Sequence, residues 1–546
     1  MARLPGLAAR LAVAMWVCIG WSTLAWGDWK DDIGYTRLVH ALGDNTPNGA
    51  GVLLSQVEAP STGGAYFPNT TFTDFGADTD PLATAVNFID GSGGQSAGIS
   101  NHASNQALSI YGNGASIAPA ANQVTIFEAN DYLNNVLHAP TGGDPEAQNF
   151  RVQSHAWVGS LNESFDVSAL QRFDYVIDTY EMTAVVGLGN TSSPLPNLLS
   201  QSFNAIAVGR SDGVHSTGDT TLMQYHPGRT KPDLVVPRAT TSAATSSTSS
   251  AAALLHEVVA GTDAANSETM KAILLAGATK DEFTSWSRTT AKPLDATYGA
   301  GELNVYNSYL MTLGGQSAGS ISTPTTPVGA YGWDYRTVKP IADVQYQFEI
   351  PDGSTAQELS ILLAWNYDIT DIRSSPNIFS PIGSLANLDL QLLDSTGALV
   401  DQSTSTVDNV EHIYLTDLAA GTYTLKVSTD ATRDFGLAWR TSTLFDTPSA
   451  DFNEDGDVDG ADFLTWQRGF GTLLGATHAD GDADGDGEVG TSDLAILSAA
   501  FGTNAAPSGL TAAVPEPATR ALACAGLLLF LLWQNRLARR RRHVPT

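Results

Sequence analysis

The chain contains a short apolar run that reads Gly51-Val52-Leu53-Leu54-Ser55-Gln56-Val57 and ends against an acidic residue, Glu58. Similar runs recur downstream, as Val124-Thr125-Ile126-Phe127, Tyr175-Val176-Ile177 and Ala184-Val185-Val186-Gly187. Stretches with a helical pattern lie between and after them, among them 131–137 and 249–259. Strands that alternate with helices predict a mostly parallel α/β sheet, whose functional residues gather at the carboxyl ends of the strands.

Length and charge set the wider limits. The chain has 546 residues, and about 150 residues per domain predicts three or four domains. It carries 57 acidic and 27 basic side chains, which gives a net charge of -30. Binding to a phosphate backbone depends on clustered Lys and Arg, so nucleic acid is not an expected partner.

Two breaks in composition divide the middle of the chain. The segment 314–329 consists mainly of Gly, Ser, Thr and Pro and is predicted to be a linker, and a second break falls at 447–450. They leave a large α/β unit at 28–313, a middle unit at 330–445 and a small acidic unit at 450–503. Alternating polar and apolar residues at 388–393 and 421–427 predict an antiparallel β-sandwich in the middle unit, with a role in support or surface binding.

The first 27 residues differ from the rest. Arg3 and Arg10 are followed by an apolar run from Leu11 to Leu24, and Ala25-Trp26-Gly27 offers the small residues of a cleavage site. This pattern predicts a secretory signal peptide at 1–27, and a buried helix is the alternative. The two cysteines, Cys18 and Cys524, both lie in the ends of the chain, so an exported mature chain is expected to have no disulfide.

The C-terminal segment 514–546 has three parts. Val514-Pro515-Glu516-Pro517 precedes the apolar stretch 521–533, and an arginine cluster follows, at Arg536 and Arg539-Arg540-Arg541-Arg542. This order resembles the PEP-CTERM sorting signal of envelope proteins. The resemblance implies processing by an exosortase-type enzyme and transient membrane anchoring through a hydrophobic helix, at the cell envelope, cell surface or outside the cell. A simple C-terminal membrane anchor is the alternative with the same topology.

Seven segments of the large unit form an ordered series. They are 101–107, 112–119, 185–190, 205–209, 231–237, 247–253 and 299–304. Together they resemble the subtilisin-like serine proteases over roughly residues 50–310. The resemblance implies an acid-His-Ser triad and an oxyanion-binding Asn, which map onto Glu58, His102, Ser249 and Asn190.

The resemblance implies a role for each of these residues. Ser249 is expected at a helix N-terminus with its hydroxyl facing the cleft, and His102 would take its proton during attack on a peptide carbonyl. Glu58 would hold the other imidazole nitrogen, and Asn190 would donate to the oxyanion. The chain departs from the family pattern in having Glu as the acid, Ser247 in place of a Gly, and Ala253 in place of a Pro.

The small acidic unit contains a duplicated loop. In the first copy Asp451, Asn453, Asp455, Asp457, Asp459 and Asp462 occupy positions 1, 3, 5, 7, 9 and 12 of a calcium-binding loop. The second copy, 31 residues later, has its candidate ligands at Asp482, Asp484, Asp486, Glu488 and Asp493. A helix is predicted after each loop, and the whole resembles a type I dockerin, which implies calcium as the bound metal and a cohesin-like protein as partner. A solvated acidic loop is the alternative.

The sequence therefore predicts a multi-domain protein with a subtilisin-like α/β unit, a β-sandwich and a small α, EF-hand-like dockerin module. The expected activity is that of an exported serine endopeptidase acting on protein or peptide substrates. The alternative is a catalytically impaired homologue that acts as a surface binding or scaffold protein through its sandwich and dockerin-like module.

Overall fold

The computed structural model of the protein describes residues 28–76, 85–93, 98–373 and 378–502. The strands of its first part are Leu53–Glu58 (β1), Asn87–Asp90 (β2), Gln123–Glu128 (β3), Val152–His155 (β4), Thr183–Gly187 (β5), Ile206–Arg210 (β6), Gly218–Asp219 (β7), Thr230–Lys231 (β8) and Leu234–Val236 (β9). In the described residues seven of them form one sheet in the order β2-β3-β1-β4-β5-β6-β9. Every neighbouring pair in it is parallel. The predicted parallel α/β sheet is confirmed.

Helices cover both faces of this sheet. They are Trp29–Asp32 (α1), Tyr35–Leu42 (α2), Asn101–Tyr111 (α3), Ala129–Asp131 (α4), which continues as a π-helical turn at Tyr132–Val136, Glu163–Tyr180 (α5), Thr241–Val258 (α6), Ser267–Gly277 (α7) and Val305–Gly314 (α8). Short 3₁₀ turns occur at Gly43–Asn45, Thr73–Phe75 and Asp263–Ala265. Two separate cores result, one against α3, α6, α7 and α8 and one against α5.

One predicted strand is wrong. Tyr175-Val176-Ile177 lies inside α5, which begins after Asn162, whose side chain accepts a hydrogen bond from the backbone N–H of Phe165 at 3.1 Å. Leu170, Phe173 and Ile177 are fully buried on one face of this helix. Their spacing of three and four residues is the helical period, which outweighs the local β preference of the Tyr-Val-Ile run.

The second part is an antiparallel β-sandwich. Its strands are Tyr331–Val338 (β10), Val344–Ile350 (β11), Ser354–Ala364 (β12), Asp368–Asp371 (β13), Pro381–Ser384 (β14), Leu388–Leu393 (β15), Leu399–Ser403 (β16), Val410–Leu415 (β17), Gly421–Thr429 (β18) and Arg433–Phe445 (β19). Two four-stranded sheets, ordered β10-β19-β12-β17 and β11-β18-β15-β16, face each other across a shared core. Leu388, Leu390 and Leu392 are buried while the residues between them are half-buried, which is the period-two pattern that the sequence showed.

The two parts share hydrophobic packing. Leu362, Ala364 and Ala438 of the sandwich belong to the same buried cluster as α7 and α8. Arg440 on β19 reaches the carbonyl oxygen of Ala276 in α7 through its Nε at 2.9 Å. The segment 314–329, predicted to be a linker, pairs with the sandwich, because the backbone N–H of Ser317 donates to the Trp333 carbonyl at 2.9 Å. The sandwich therefore packs against α7 and α8 of the α/β part.

A small α-helical module follows. Its helices are Gly460–Gly469 (α9) and Thr491–Ala500 (α10), with a 3₁₀ turn at His478–Asp480 between them. Each helix begins directly after one of the two acidic loops, and a small core that includes Phe452, Trp466 and Leu497 joins them. The segments 1–27 and 514–546, with the predicted signal peptide and sorting signal, lie outside the described residues. Among the residues that are described, no helix has the length and apolar character needed to cross a membrane.

Candidate active site

A buried carboxylate and a histidine form the first pair of the site. Glu58 is the last residue of β1 and is completely buried. His102 is in the first turn of α3, and its Nδ1 lies 2.7 Å from Glu58 Oε2. Because a carboxylate accepts hydrogen bonds, this contact orients the imidazole and favours the tautomer with its proton on Nδ1, which leaves Nε2 as an acceptor.

Two polar side chains beneath this pair hold Glu58 in place. Gln56 precedes it by two residues on β1 and therefore lies on the same face of the strand. Its Nε2 donates to Glu58 Oε1 at 2.7 Å and to the carbonyl oxygen of Ala103 at 3.0 Å. Tyr111 in turn donates its hydroxyl to Gln56 Oε1 at 2.6 Å. Neither Gln56 nor Tyr111 was singled out from the sequence, although the period of two residues on a strand could have pointed to Gln56.

The hydroxyl beside the histidine belongs to Ser242. Its Oγ lies 3.2 Å from His102 Nε2 and also 3.2 Å from the carbonyl oxygen of Ala156. Ser242 is the second residue of α6, and it is only partly buried. The helix begins here because Thr240 caps it, accepting a hydrogen bond from the backbone N–H of Ala243 at 3.1 Å. Glu58, His102 and Ser242 thus form one hydrogen-bonded chain.

Ser249, the residue expected beside His102, lies elsewhere. It is fully buried in the middle of α6, and its Oγ donates to the carbonyl oxygen of Thr245 at 2.9 Å. The expectation that a helix begins at Ser249 and exposes its hydroxyl is wrong, because α6 begins at Thr241. The error came from the repeated Thr-Ser in this Ala, Ser and Thr-rich stretch, where Thr241-Ser242 and Thr248-Ser249 look alike.

Asn190, predicted to be the oxyanion donor, lies beside the start of α6. Its Oδ1 accepts hydrogen bonds from the backbone N–H of Thr241 at 2.8 Å and from the Thr241 hydroxyl at 3.0 Å. With the carbonyl end of the amide fixed, its Nδ2 is left as the donor for another group. The backbone N–H of Ser242 is in the first turn of the helix, where N–H groups have no partner within the helix. Asn190 and Ser242 line the same cleft.

A cleft of about 380 Å³ opens above these groups. One wall of the cleft is a face of α3. The other wall is formed by the residues just before α6 and in its first turn. The lining residues are His102, Asn105, Gln106, Ser109, Asn190, Arg238, Thr240, Ser242 and Ala243. Ser242 and Asn190 are therefore reached from the same cleft.

The electrostatics of the pair favour a basic histidine. The hydrogen bond that the His102 ring donates to Glu58 raises the pKa of His102 above its ordinary value of 6.5, and partial burial opposes this rise. A histidine with a raised pKa accepts a proton from a serine more readily, since the imidazolium is stabilised by the carboxylate behind it.

The two acidic loops have the same backbone geometry. In the first, the N–H of Gly456 donates to Asp451 Oδ2 at 2.9 Å, and in the second the N–H of Gly487 donates to Asp482 Oδ2 at 2.9 Å. The last acidic residues of the loops, Asp462 and Asp493, are both buried. Each accepts a backbone N–H from the start of its own loop at 2.8 Å.

The second loop fits a calcium ion. The carboxylates of Asp482, Asp484 and Asp486 bring one oxygen each within 4.8 Å of one another, and oxygen ligands at about 2.4 Å from one Ca²⁺ are separated by distances of this size. Burial raises the pKa of Asp482 to about 6 and that of Asp486 to about 7. A cation would relieve the crowding of these carboxylates. Asp451, Asn453, Asp455 and Asp457 occupy the corresponding positions of the first loop, where Asp451 is half-buried and the other three are exposed.

The side chain of Glu488, a predicted ligand, points away from the carboxylates of Asp482, Asp484 and Asp486. Its Oε2 accepts hydrogen bonds from Arg37 at 2.6 Å and from the Tyr306 hydroxyl at 3.0 Å. Position 7 of such a loop supplies its backbone carbonyl to calcium, which leaves the side chain available for other contacts. The Glu488 side chain therefore ties the second loop to the α/β part.

Comparisons with known proteins give matches among solved structures. No protein-family model matches the chain, and no curated protein matches it. A serine protease of Aeromonas sobria in complex with its chaperone ORF2 is a structural match, with 13% identity, a TM-score of 0.33, and coverage of 73% of this chain and 89% of that one. The prenylagaramide maturation protease PagA matches with 15% identity, a TM-score of 0.33, and coverage of 50% and 97%.

A third match is the serine protease MycP1 of the type VII (ESX-1) secretion system. It has 15% identity and a TM-score of 0.30, and the match covers 51% of this chain and 87% of that one. All three structures are of proteases. At this level of similarity, the function has to be argued from the geometry of the chain itself.

Proposed function

We propose that the protein is a serine endopeptidase in which Ser242 is the nucleophile, His102 the general base, Glu58 the supporting acid and Asn190 an oxyanion donor. The observation that carries this proposal is the continuous contact from Glu58 through His102 to Ser242, at the exposed N-terminus of a helix. A nucleophile, a base within hydrogen-bond reach and a group that orients the base are the three parts that acyl transfer requires.

The first half of the reaction forms an acyl-enzyme. The Ser242 Oγ attacks the carbonyl carbon of the scissile peptide, while its proton passes to His102 Nε2. Glu58 accepts the Nδ1–H of the imidazolium throughout. The negative charge that develops on the carbonyl oxygen is stabilised by the Asn190 Nδ2 and by the backbone N–H of Ser242. His102 then gives the proton to the leaving amine, and the peptide C–N bond breaks.

The second half reverses these roles with water. Water gives a proton to His102 Nε2 and attacks the ester carbonyl, and the same donors stabilise the second oxyanion. Collapse returns the proton to Ser242 Oγ and releases the new carboxyl terminus. The free Ser242 hydroxyl and the neutral His102 are restored, so the cycle consumes only water and one peptide bond.

Hydrolysis of an unstructured protein tests the proposal. Full-length protein should cut casein at internal bonds, and mass spectrometry should identify products from the middle of the chain. The alternative function, a surface binding or scaffold protein with an inactive cleft, predicts a folded protein that releases no fragments. Folding is checked independently by circular dichroism, so absence of products from folded protein would exclude the endopeptidase.

We further propose that the two acidic loops bind calcium. The specific support is the convergence of Asp482, Asp484 and Asp486 in the second loop. Calcium would supply a positive charge that these side chains surround. Because Glu488 connects this loop to Arg37 and Tyr306, ordering of the loop should also stabilise its contact with the α/β part.

Thermal unfolding of the full-length protein measures the calcium effect. Calcium at about one hundred times its Kd should stabilise the folded state by about 2.7 kcal/mol, and EGTA should remove this gain. The variant Asp482→Ala should lose most of the response, whereas Asp352→Ala, an exposed acid in the sandwich, should retain it. A melting temperature that does not change with calcium would contradict the proposal.

The remaining proposals concern location and partners. We propose export directed by residues 1–27, processing of the tail at 514–546 by an exosortase-type enzyme, and residence in the envelope or outside the cell. A cohesin-like protein is the proposed partner of the module at 450–503. Cell fractionation of full-length protein and of a chain ending at residue 513 tests the sorting step, which predicts release of the shortened chain into the medium. Equal membrane association of both forms would contradict it.

A further inference from the structure

The cleft beside Ser242 contains a cation in a chain that is otherwise acidic. The sequence has 57 acidic and 27 basic residues, yet the charged side chains that line the cleft are His102 and Arg238. Arg238 precedes Ser242 by four residues and is partly buried. Its position brings a positive charge close to the place where a substrate must bind.

Two contacts hold the Arg238 head group. Its Nη2 donates to the hydroxyl of Ser109 at 3.2 Å, and its guanidinium carbon lies 4.6 Å from the centre of the Trp29 ring. Stacking on an aromatic ring fixes the plane of a guanidinium while its remaining N–H groups stay available. The side chain is therefore set in one orientation before substrate arrives.

Arg238 has no direct counterion in the part of the chain that the structure describes. Among the described residues, no carboxylate oxygen lies within 4.0 Å of its nitrogens, in contrast to Arg37 and Arg440, which pair with Glu488 and Glu358. Burial lowers the pKa of Arg238, and Asp28 partly offsets this from a greater distance. A guanidinium nevertheless keeps its proton at physiological pH. A desolvated cation with free donors is a strong site for an anion.

The position of the cation along the cleft indicates which part of a substrate it meets. Ser109 is seven residues after His102 on α3, which is two turns, or about 10 Å, along the helix. In the proposed mechanism His102 gives its proton to the leaving amine, so we assign the part of the cleft that begins at His102, which Ser109 and Arg238 also line, to the leaving-group side of the scissile bond. Residues of an extended peptide are spaced by about 3.5 Å, so Arg238 is within reach of the first few residues on that side.

We propose that Arg238 is a specificity-determining residue that binds a carboxylate on the leaving-group side of the substrate. The proposal rests on the endopeptidase function proposed above, and it defines the substrate class as peptides with an acidic group after the scissile bond. The carboxylate is supplied either by an Asp or Glu side chain or by a nearby C-terminus. In both cases it forms charge-assisted hydrogen bonds with the guanidinium.

Matched peptides test the preference. Internally quenched peptides differ only in Glu, Gln or Lys at the first three positions after the scissile bond, and each is made with an amidated or a free C-terminus. We expect kcat/KM to be about 10- to 100-fold higher for a carboxylate than for its neutral counterpart, the range of a charge-assisted hydrogen bond. Preference for Glu in amidated peptides identifies the side chain as the source, and preference for the free acid alone identifies the C-terminus. Equal rates for all peptides would overturn the proposal.

Variants assign the preference to Arg238. Arg238→Gln should cut Glu and Gln peptides with similar kcat/KM, and Arg238→Lys should retain part of the preference for a carboxylate. The matched control is Arg373→Gln, an exposed arginine of the sandwich that pairs with Asp144 and Asp371, and it should behave as wild type. A preference that survives in folded Arg238→Gln would contradict the assignment.

A binding measurement separates this proposal from the endopeptidase function. In the Ser242→Ala background, fluorescence anisotropy compares the Kd of labelled, amidated Glu and Gln peptides and of the free acid, with and without Arg238→Gln. Tighter binding of a carboxylate that depends on Arg238 supports the proposal even if wild-type protein hydrolyses nothing, an outcome that would exclude only the endopeptidase. Hydrolysis without any Arg238-dependent preference in rate or binding would exclude only the role of Arg238.

Discussion

Two serines on the same helix have opposite surroundings. Ser242 lies in the first turn of α6, partly exposed, with its hydroxyl beside His102. Ser249 lies two turns deeper, fully buried, with its hydroxyl bonded to the carbonyl oxygen of Thr245. Both follow a threonine, and both lie on the same side of the helix, about 10 Å apart. Depth along the helix, and not the local sequence, decides which serine can react.

The difference follows from what a helix end offers. At the N-terminus the backbone N–H groups are unpaired and point toward the cleft, so they can bind a developing negative charge. In the middle of the helix these groups are satisfied, and a serine hydroxyl turns back to the preceding carbonyl. The small side chains between Ala244 and Ser250 are all buried, which indicates that their role is close packing.

The largest predicted effect separates the two serines directly. Ser242→Ala should lower kcat/KM by about a million-fold, because the nucleophile and the group that His102 activates are both lost. Ser249→Ala should leave the rate unchanged and alter the free energy of unfolding by about 1 kcal/mol or less, since one intrahelical hydrogen bond is removed. Steady-state kinetics and urea unfolding measure both. Loss of activity in a folded Ser249→Ala variant, with Ser242→Ala active, would reverse the assignment.

The second prediction concerns the acid that supports Ser242 through His102. Glu58→Gln should lower kcat by about 10⁴-fold, because the imidazolium loses its counterion and the tautomer is no longer fixed. The reaction needs neutral His102, so the wild-type rate should rise with pH through a midpoint above 6.5, since Glu58 raises the pKa of His102. In Glu58→Gln this pKa falls, and the midpoint should move to lower pH. An unchanged midpoint in the pH profile of kcat/KM would show that Glu58 does not act on the base.

The third prediction concerns the oxyanion donor. Asn190→Asp keeps an oxygen for Thr241 but replaces the Nδ2 donor, and kcat should fall by about 100- to 1,000-fold with little change in KM. Asn87→Ala, an exposed asparagine bonded to Gln123, serves as the control and should not affect the rate. Wild-type kcat in Asn190→Asp would place the oxyanion elsewhere and weaken the case for Ser242.

Site residues could be chosen from the sequence where they stand at the start or end of a predicted helix or strand. Glu58 ends a strand, His102 begins a helix and Asn190 follows a strand, and the structure brings all three to one edge of the sheet. The nucleophile could not be chosen this way, because 239–253 consists entirely of Ala, Ser and Thr and has no distinct start. The cap at Thr240, the contact of Ser242 with His102 and the burial of the later residues distinguish the two serines.

In the fold, too, the features that depend on local sequence were predicted, and those that depend on distant residues were not. The parallel sheet and the antiparallel β-rich region were predicted from strand patterns that depend on neighbours in the chain. The contact of Glu488 with Arg37 joins residues more than 400 positions apart, and no local pattern contains that information. The strand predicted at 175–177 failed for a related reason, because three residues are too few to reveal the helical face of α5.

Labelling of folded wild-type protein with a fluorophosphonate, followed by mass spectrometry of the adduct, identifies the nucleophile without a peptide substrate. We expect one stoichiometric adduct on Ser242, absent from Ser242→Ala and from protein unfolded before labelling. An adduct on Ser249, or the absence of any adduct on folded protein, would contradict the assignment of Ser242 as the nucleophile.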